Sequence, residues 1–146
     1  MNFQSRNESE TKDIGRTLGE RLKCGDVVCL YGELGSGKTM MVKGIASALG
    51  IPEQDITSAS YTIIAEYDST IPFYHIDLYR VNPEEVSGLG LHEYLGTEGI
   101  AVIEWAERAE EEIPDRSIRV YLNYKGEDSR EIVITNNKDS EICQSG

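Results

Sequence analysis

Cysteine is scarce in this chain: three residues, Cys24, Cys29 and Cys143, with no C-x-x-C pair among them. An odd, widely spaced set excludes a disulfide framework and a thiolate zinc site, and suits a reducing compartment. Cys29 lies in an apolar run and is expected to be a small core residue. Positive charge is also short, with 14 Lys and Arg against 26 Asp and Glu, a formal net charge of −12. Nucleic-acid binding is driven largely by cations meeting phosphates, so such a chain is a poor candidate for holding DNA or RNA alone. No apolar run reaches the roughly 18 residues that a membrane span requires. The first ten residues, MNFQSRNESE, lack the apolar centre of a signal peptide. The expectation is a soluble, cytoplasmic protein. Its 146 residues make one ordinary domain.

Against these absences stands one dense stretch, GELGSGKT, from Gly32 to Thr39. It follows the apolar run VVCLY and precedes MMVKGIASALG. The spacing G-x-x-x-x-G-K-T between a buried strand and an amphipathic helix is that of a nucleotide phosphate loop. Successive backbone N–H groups and the helix N-terminus would face the phosphates. Lys38 would reach the β- and γ-phosphates, and the Thr39 hydroxyl would ligate Mg²⁺. The contact set is therefore Glu33, Leu34, Gly35, Ser36, Gly37, Lys38 and Thr39.

A magnesium nucleotide site also needs carboxylates at neighbouring strand ends. FYHID ends in Asp77 and GIAVIE ends in Glu104. One would serve the metal and the other would orient the attacking water. Residue patterning leaves their assignment open, so both are metal and catalytic candidates beside Lys38. His75 is expected to orient Asp77, and His92 to be an exposed helix residue. TSASYT, residues 57–62, has the hydroxyls of a γ-phosphate sensor, although a plain Ser/Thr turn is the simpler reading. A guanine-specific N-K-x-D is lacking: Asn137-Lys138-Asp139 is one residue short. ATP is accordingly the expected nucleotide.

Around these residues the chain reads as α/β. A helix capped by Ser9 runs to about Lys23, with Ile14, Leu18 and Leu22 as its apolar stripe. Val27–Tyr31 is a buried strand. Helix Lys38–Leu49 follows, with Met41, Ile45, Ala48 and Leu49 on one face. Strands are expected over Thr62–Tyr67, Phe73–Leu78 and Gly99–Glu104, with short helical pieces from Pro83 and over Leu91–Leu95. Glu107–Glu112 reads as a short acidic helix, its charge a solvated face rather than a docking site for a basic partner. Ser117–Tyr124 and Arg130–Thr135 flank KGEDS as a hairpin. The fold class is a single phosphate-loop domain over residues 1–135, with a mixed, mostly parallel sheet flanked by helices and a C-terminal β-hairpin. Residues 136–146 form a polar tail.

GELGSGKT, TSASYT, HIDLYR, LGLHEYL and VIEWAERA stand in an order and spacing that resembles the TsaE family, from about Thr11 to Arg130. These are small bacterial ATPases of tRNA threonylcarbamoyladenosine synthesis. HIDLYR together with VIEW is much more specific than the phosphate loop. The resemblance implies a Mg²⁺-dependent ATPase working with a TsaB–TsaD pair, which would carry the tRNA contact. It makes Asp77 and Glu104 the essential carboxylates, with Glu104 on the metal side. It adds Trp105, Thr11 and Arg130 near the nucleotide. Read without the resemblance, these three are core packing, a helix-surface hydroxyl and a cross-strand ion pair. Ala59, Ser60 and Ala106 stand where the family usually has proline, threonine and proline; no charge or metal ligand is lost. No arginine is evidently placed to complete the site, Arg80 and Arg108 being the ones to consider, so slow intrinsic turnover raised by partners is expected. Two alternatives remain: a phosphate-loop small-molecule kinase, and a nucleotide-dependent binding switch with negligible hydrolysis.

Overall fold

The computed structural model describes residues 1–33, 35–56 and 63–136. Readings placed on Leu34, on residues 57–62, on Cys143 and on the 137–139 string lie outside the described residues. Seven strands form one sheet: β1 (Asn2–Ser5), β2 (Val27–Tyr31), β3 (Ile64–Tyr67), β4 (Phe73–Asp77), β5 (Ile100–Glu104), β6 (Ile118–Tyr124) and β7 (Arg130–Asn136). Their order is β1-β7-β6-β2-β5-β4-β3. The middle strands β6, β2, β5 and β4 run parallel. The edges are antiparallel, β1 on β7, β7 on β6 and β3 on β4. The sheet is thus mixed and parallel at its centre, as expected.

The continuous apolar run VVCLY explains the central place of β2, whose residues Val27 to Leu30 are buried. A strand covered on both faces needs apolar side chains at every position. Even positions Val28 and Leu30 join Ile100, Val102, Val120 and Leu122 beneath two helices, α1 (Glu8–Gly19) and α2 (Lys38–Ala48). Odd positions Val27 and Cys29 join Ala101 and Ile103 on the opposite face. That face is covered by 3-10 turns at Pro83–Leu89, Leu91–Glu93 and Ala106–Glu112. No helix among the described residues is long and apolar enough to cross a membrane.

The two α-helices touch through glycine. A Cβ on Gly15 would stand 2.5 Å from the Met41 carbonyl oxygen, and one on Gly44 would stand 2.1 Å from that of Lys12. Only hydrogen fits there. The seam of α1 is therefore Thr11, Gly15, Leu18 and Gly19, all buried, and Ile14 is only half-buried.

Several boundaries differ from expectation. The cap of α1 is Asn7, not Ser9: the Asn7 side chain accepts from the Glu10 N–H at 2.9 Å. The helix ends at Gly19 rather than Lys23, because Arg21 and Leu22 bond back in tighter turns to Leu18 and Gly19. Leu22 still reaches the core. Strand β1 was not expected at all; it is short and polar and adds to β7 at the sheet edge. Leu78 leaves β4 because its N–H turns to the Glu104 carbonyl at 3.1 Å. The segment expected as an acidic helix is 3-10 in type and kinked at Ala109. Within it, Glu110 accepts from Tyr31 Oη at 2.6 Å and pairs with Arg119 at 3.1 Å, while Glu111 and Glu112 are exposed. The closing hairpin forms as read, with the Lys125 N–H on the Ser129 carbonyl at 2.9 Å, and β7 runs one residue past Thr135.

Candidate functional site

Strand β2 ends at Tyr31 and helix α2 begins at Lys38, so the glycine stretch lies at the C-terminal edge of the parallel strands. Open α/β sheets receive ligands at this edge. Gly37 caps α2 at φ 104°, a left-handed conformation that favours glycine. It offers no side-chain cap, so the first N–H groups of α2 remain available to an anion. Thr39 stands half-buried in the first turn of α2, and Glu33 is exposed on the lip of the loop. Ser36 is fully buried.

Lys38 is buried beneath the loop. Its ammonium donates to the carbonyls of Gly32 and, at 3.4 Å, of Glu33. It also stands 3.7 Å from the centroid of the Trp105 ring. Burial pulls the Lys38 pKa down, and the charges of Glu104, Glu107 and Asp77 oppose that shift. Trp105 follows directly on β5 at φ 60°, the one non-glycine residue with positive φ among those described. Its ring also meets Tyr79 at 5.1 Å and the Arg108 guanidinium at 5.7 Å. Arg108 donates to the Val81 carbonyl at 3.2 Å, whereas Arg80 is exposed. A cavity of about 650 Å³ opens beside the loop, between Glu33 and Trp105 on one side and Asn123 and Tyr124 on the other.

Asp77 and Glu104 are paired across β4 and β5, and both are buried. His75 shares their sheet face, since residues two apart on a strand point the same way. Ligand atoms of His75, Asp77 and Glu104 lie within 4.8 Å of one another. The expected link between His75 and Asp77 is replaced by another: His75 Nε2 meets Glu104 Oε2 at 2.7 Å. Asp77 Oδ1 instead accepts the Tyr79 N–H at 2.9 Å. Burial, and then the Glu104 charge, push the Asp77 carboxyl above its ordinary range. The two buried acids offer hard oxygen donors of the kind Mg²⁺ selects.

Thr11 and Arg130 converge on the same loop. Thr11 is buried and shares a 2.7 Å hydrogen bond with Ser5, so it is not a helix-surface hydroxyl. Its Cγ2 would lie 3.6 Å from a Cβ placed on Gly37. The Arg130 guanidinium donates from Nε to the Ser36 carbonyl at 3.0 Å and from Nη2 to that of Gly35 at 3.3 Å. It also lies 4.2 Å from the Tyr124 ring centroid. It is bound to the glycine loop, which replaces the ion-pair reading. His92 is exposed, as expected, and Cys29 is buried in the core.

A parallel-centred α/β domain whose glycine loop joins the central strand to a helix, with a buried lysine below and strand-end carboxylates beside it, has a phosphate-loop-like fold. The model of the family described as threonylcarbamoyl adenosine biosynthesis protein TsaE matches residues 5–132. The Bacillus subtilis tRNA threonylcarbamoyladenosine biosynthesis protein TsaE is 38% identical over 147 residues, covering 99% of this chain and 92% of its own. The Nostoc protein of that name is 44% identical over 133 residues, covering 88% and 81%. Among solved structures, the crystal structure of Bacillus subtilis YdiB superposes with a TM-score of 0.81 at 37% identity, covering 99% of this chain and 92% of that one. The chain belongs to the TsaE family.

Proposed function

We propose that this protein acts in threonylcarbamoyladenosine modification of tRNA, at position 37, as a Mg²⁺-dependent ATPase that works with a TsaB–TsaD pair. Its relatives bear the name of that biosynthesis. The observation that carries the ATPase reading is the grouping of buried Lys38 with Asp77 and Glu104 at adjoining strand ends. Thr39 and Glu104 would hold Mg²⁺, which supplies charge stabilisation to the transferred phosphoryl group. Lys38 and the loop N–H groups bind the phosphates, so Lys38 must exchange its present carbonyl partners for phosphate oxygens. Asp77, with its raised pKa, accepts a proton from water more readily than an ordinary aspartate. Arg130 fixes the loop backbone through Gly35 and Ser36. Thr11 lines the loop at Gly37, and Trp105 covers Lys38.

Arg108 is held by Val81 and Arg80 lies in solvent, and among the described residues neither is seen to bond the loop. Slow turnover by the isolated protein follows, with partners raising it. The net charge of −12 supports leaving tRNA contact to those partners. The test is ATP hydrolysis with and without a TsaB–TsaD pair, for wild type, Lys38→Ala and Glu104→Ala. Low basal activity, raised by the pair and lost in both variants, supports the proposal. ATP binding without hydrolysis under either condition removes the ATPase reading and leaves a binding switch.

A further inference from the structure

His75 is a buried titratable group that the proposed chemistry does not use. It sits in mid-strand on β4, buried, and its Nε2 lies 2.7 Å from Glu104 Oε2. The register explains this geometry. Asp77 stands directly opposite Glu104, while His75 is opposite Val102, two residues earlier on β5. His75 and Glu104 are therefore diagonal neighbours on one sheet face. Glu104, the longer of the two acids, reaches back along the sheet to the imidazole. Asp77, the shorter, is held by the Tyr79 N–H ahead of it. Each carboxylate thus has its own donor, and the two are drawn in opposite directions along the strands. A buried carboxylate without a donor costs several times an ordinary hydrogen bond, so this division has energetic weight.

We propose that His75 is a positioning residue, which donates its Nε2–H to Glu104 Oε2 and so presents the other carboxylate oxygen, Oε1, to the divalent cation. This rests on the reading of Glu104 as the metal-side acid. The alternative for His75 is direct ligation, which the donor set permits, since ligand atoms of the three residues lie within 4.8 Å. The two roles differ chemically. A ligating imidazole would favour transition metals over Mg²⁺. A donating imidazole leaves the site all-oxygen and orients it from behind, as partners behind metal ligands commonly do. Without His75 the Glu104 carboxylate loses the donor on Oε2 and is free to turn toward the Lys38 ammonium. Both groups would then be diverted from the nucleotide.

The experiment measures the affinity of a non-hydrolysable ATP analogue by calorimetry, in Mg²⁺ and in EDTA, for wild type, His75→Ala and His75→Gln. The amide N–H of the glutamine replaces Nε2–H at similar reach. The expected result is that His75→Ala lowers affinity about tenfold in Mg²⁺, leaves it unchanged in EDTA, and is rescued by His75→Gln. Pulsed electron paramagnetic resonance with Mn²⁺ in place of Mg²⁺ is expected to show no directly bound nitrogen. A nitrogen coupling lost in His75→Gln would make His75 a ligand and overturn the proposal. Equal losses in Mg²⁺ and EDTA, or an unaltered Mg²⁺ effect in His75→Ala, would also overturn it while the site reading stands. A wild type whose affinity ignores Mg²⁺ would overturn that reading and the proposal together. If His75→Ala does not fold, His75→Gln decides through the same two measurements.

Discussion

Replacing Gly44 by alanine tests the closeness of the contact between α1 and α2. Two effects oppose each other. Alanine is a better helix former than glycine by about 1 kcal/mol, which alone would stabilise α2. The new Cβ, however, would stand 2.1 Å from the Lys12 carbonyl oxygen and 2.9 Å from the Arg16 nitrogen. A carbon against a carbonyl oxygen rests near 3.3 Å, so the helices must part by roughly 1 Å. The obstacle is backbone, which cannot swing aside as a side chain would. Overpacking of this kind costs about 1–3 kcal/mol, and rigid neighbours place Gly44 near the upper end. The net expectation is a loss of about 2 kcal/mol, a melting temperature lower by about 4–8 °C. Because α1 carries Thr11 against Gly37, nucleotide affinity should fall as well. Gly88→Ala is the control: nothing lies within 4 Å of a Cβ there, and its stability should stay within about 0.5 kcal/mol of wild type. Thermal unfolding followed by circular dichroism decides the matter. A Gly44→Ala protein that melts at or above wild type would refute the steric argument.

Arg130→Lys should raise the nucleotide dissociation constant about tenfold by calorimetry, since a lysine cannot span the Gly35 and Ser36 carbonyls as the guanidinium fork does. Asp77→Asn should abolish ATP hydrolysis yet raise the melting temperature of the nucleotide-free protein at pH 7. Burial raises the Asp77 pKa on folding, so ionising it destabilises the native state. That penalty is absent below the unfolded value near pH 4, grows as pH rises toward the folded value and then stays constant; melting curves of the two proteins should therefore converge in acid. The Cys29 thiol is pushed up to about 12 by burial, whereas Cys24 is exposed. A thiol reagent at pH 8 should modify Cys24 in the native protein and reach Cys29 only after unfolding.

Much of the site was legible because its signals are local. A strand, a glycine loop and a helix are contiguous, and their periodicities change where the loop begins. Strand-end acids follow from the same patterning, which is how Asp77 and Glu104 were found together. What could not be read depends on which strand lies beside which. The partner of His75 is set by the register of β4 against β5, and alternation alone offers only Asp77. Arg130 reads as a hairpin residue until β7 is placed beyond β6, which brings its guanidinium to the loop. Strand β1 was invisible because NFQS has a single apolar residue and owes its form to pairing with β7. Gly15, Gly19 and Gly44 drew no reading from the sequence, since only a neighbouring backbone gives their missing side chains a meaning.

The place of β2 also bears on how the molecule is made. Both of its sheet neighbours, β5 and β6, come later in the chain. Arg130, which secures the loop after β2, lies 94 residues beyond Ser36. At the usual pace of translation, that separation is roughly 5–20 s of synthesis. For most of that interval, until β5 and then β6 are made, the nascent chain carries VVCLY without its permanent neighbours, an apolar segment of the kind chaperones shield. A chain cut short within the closing hairpin would have its glycine loop but no Arg130 to clamp it. The backbone of that loop is therefore secured only at the end of the molecule's birth, when the last strand has arrived.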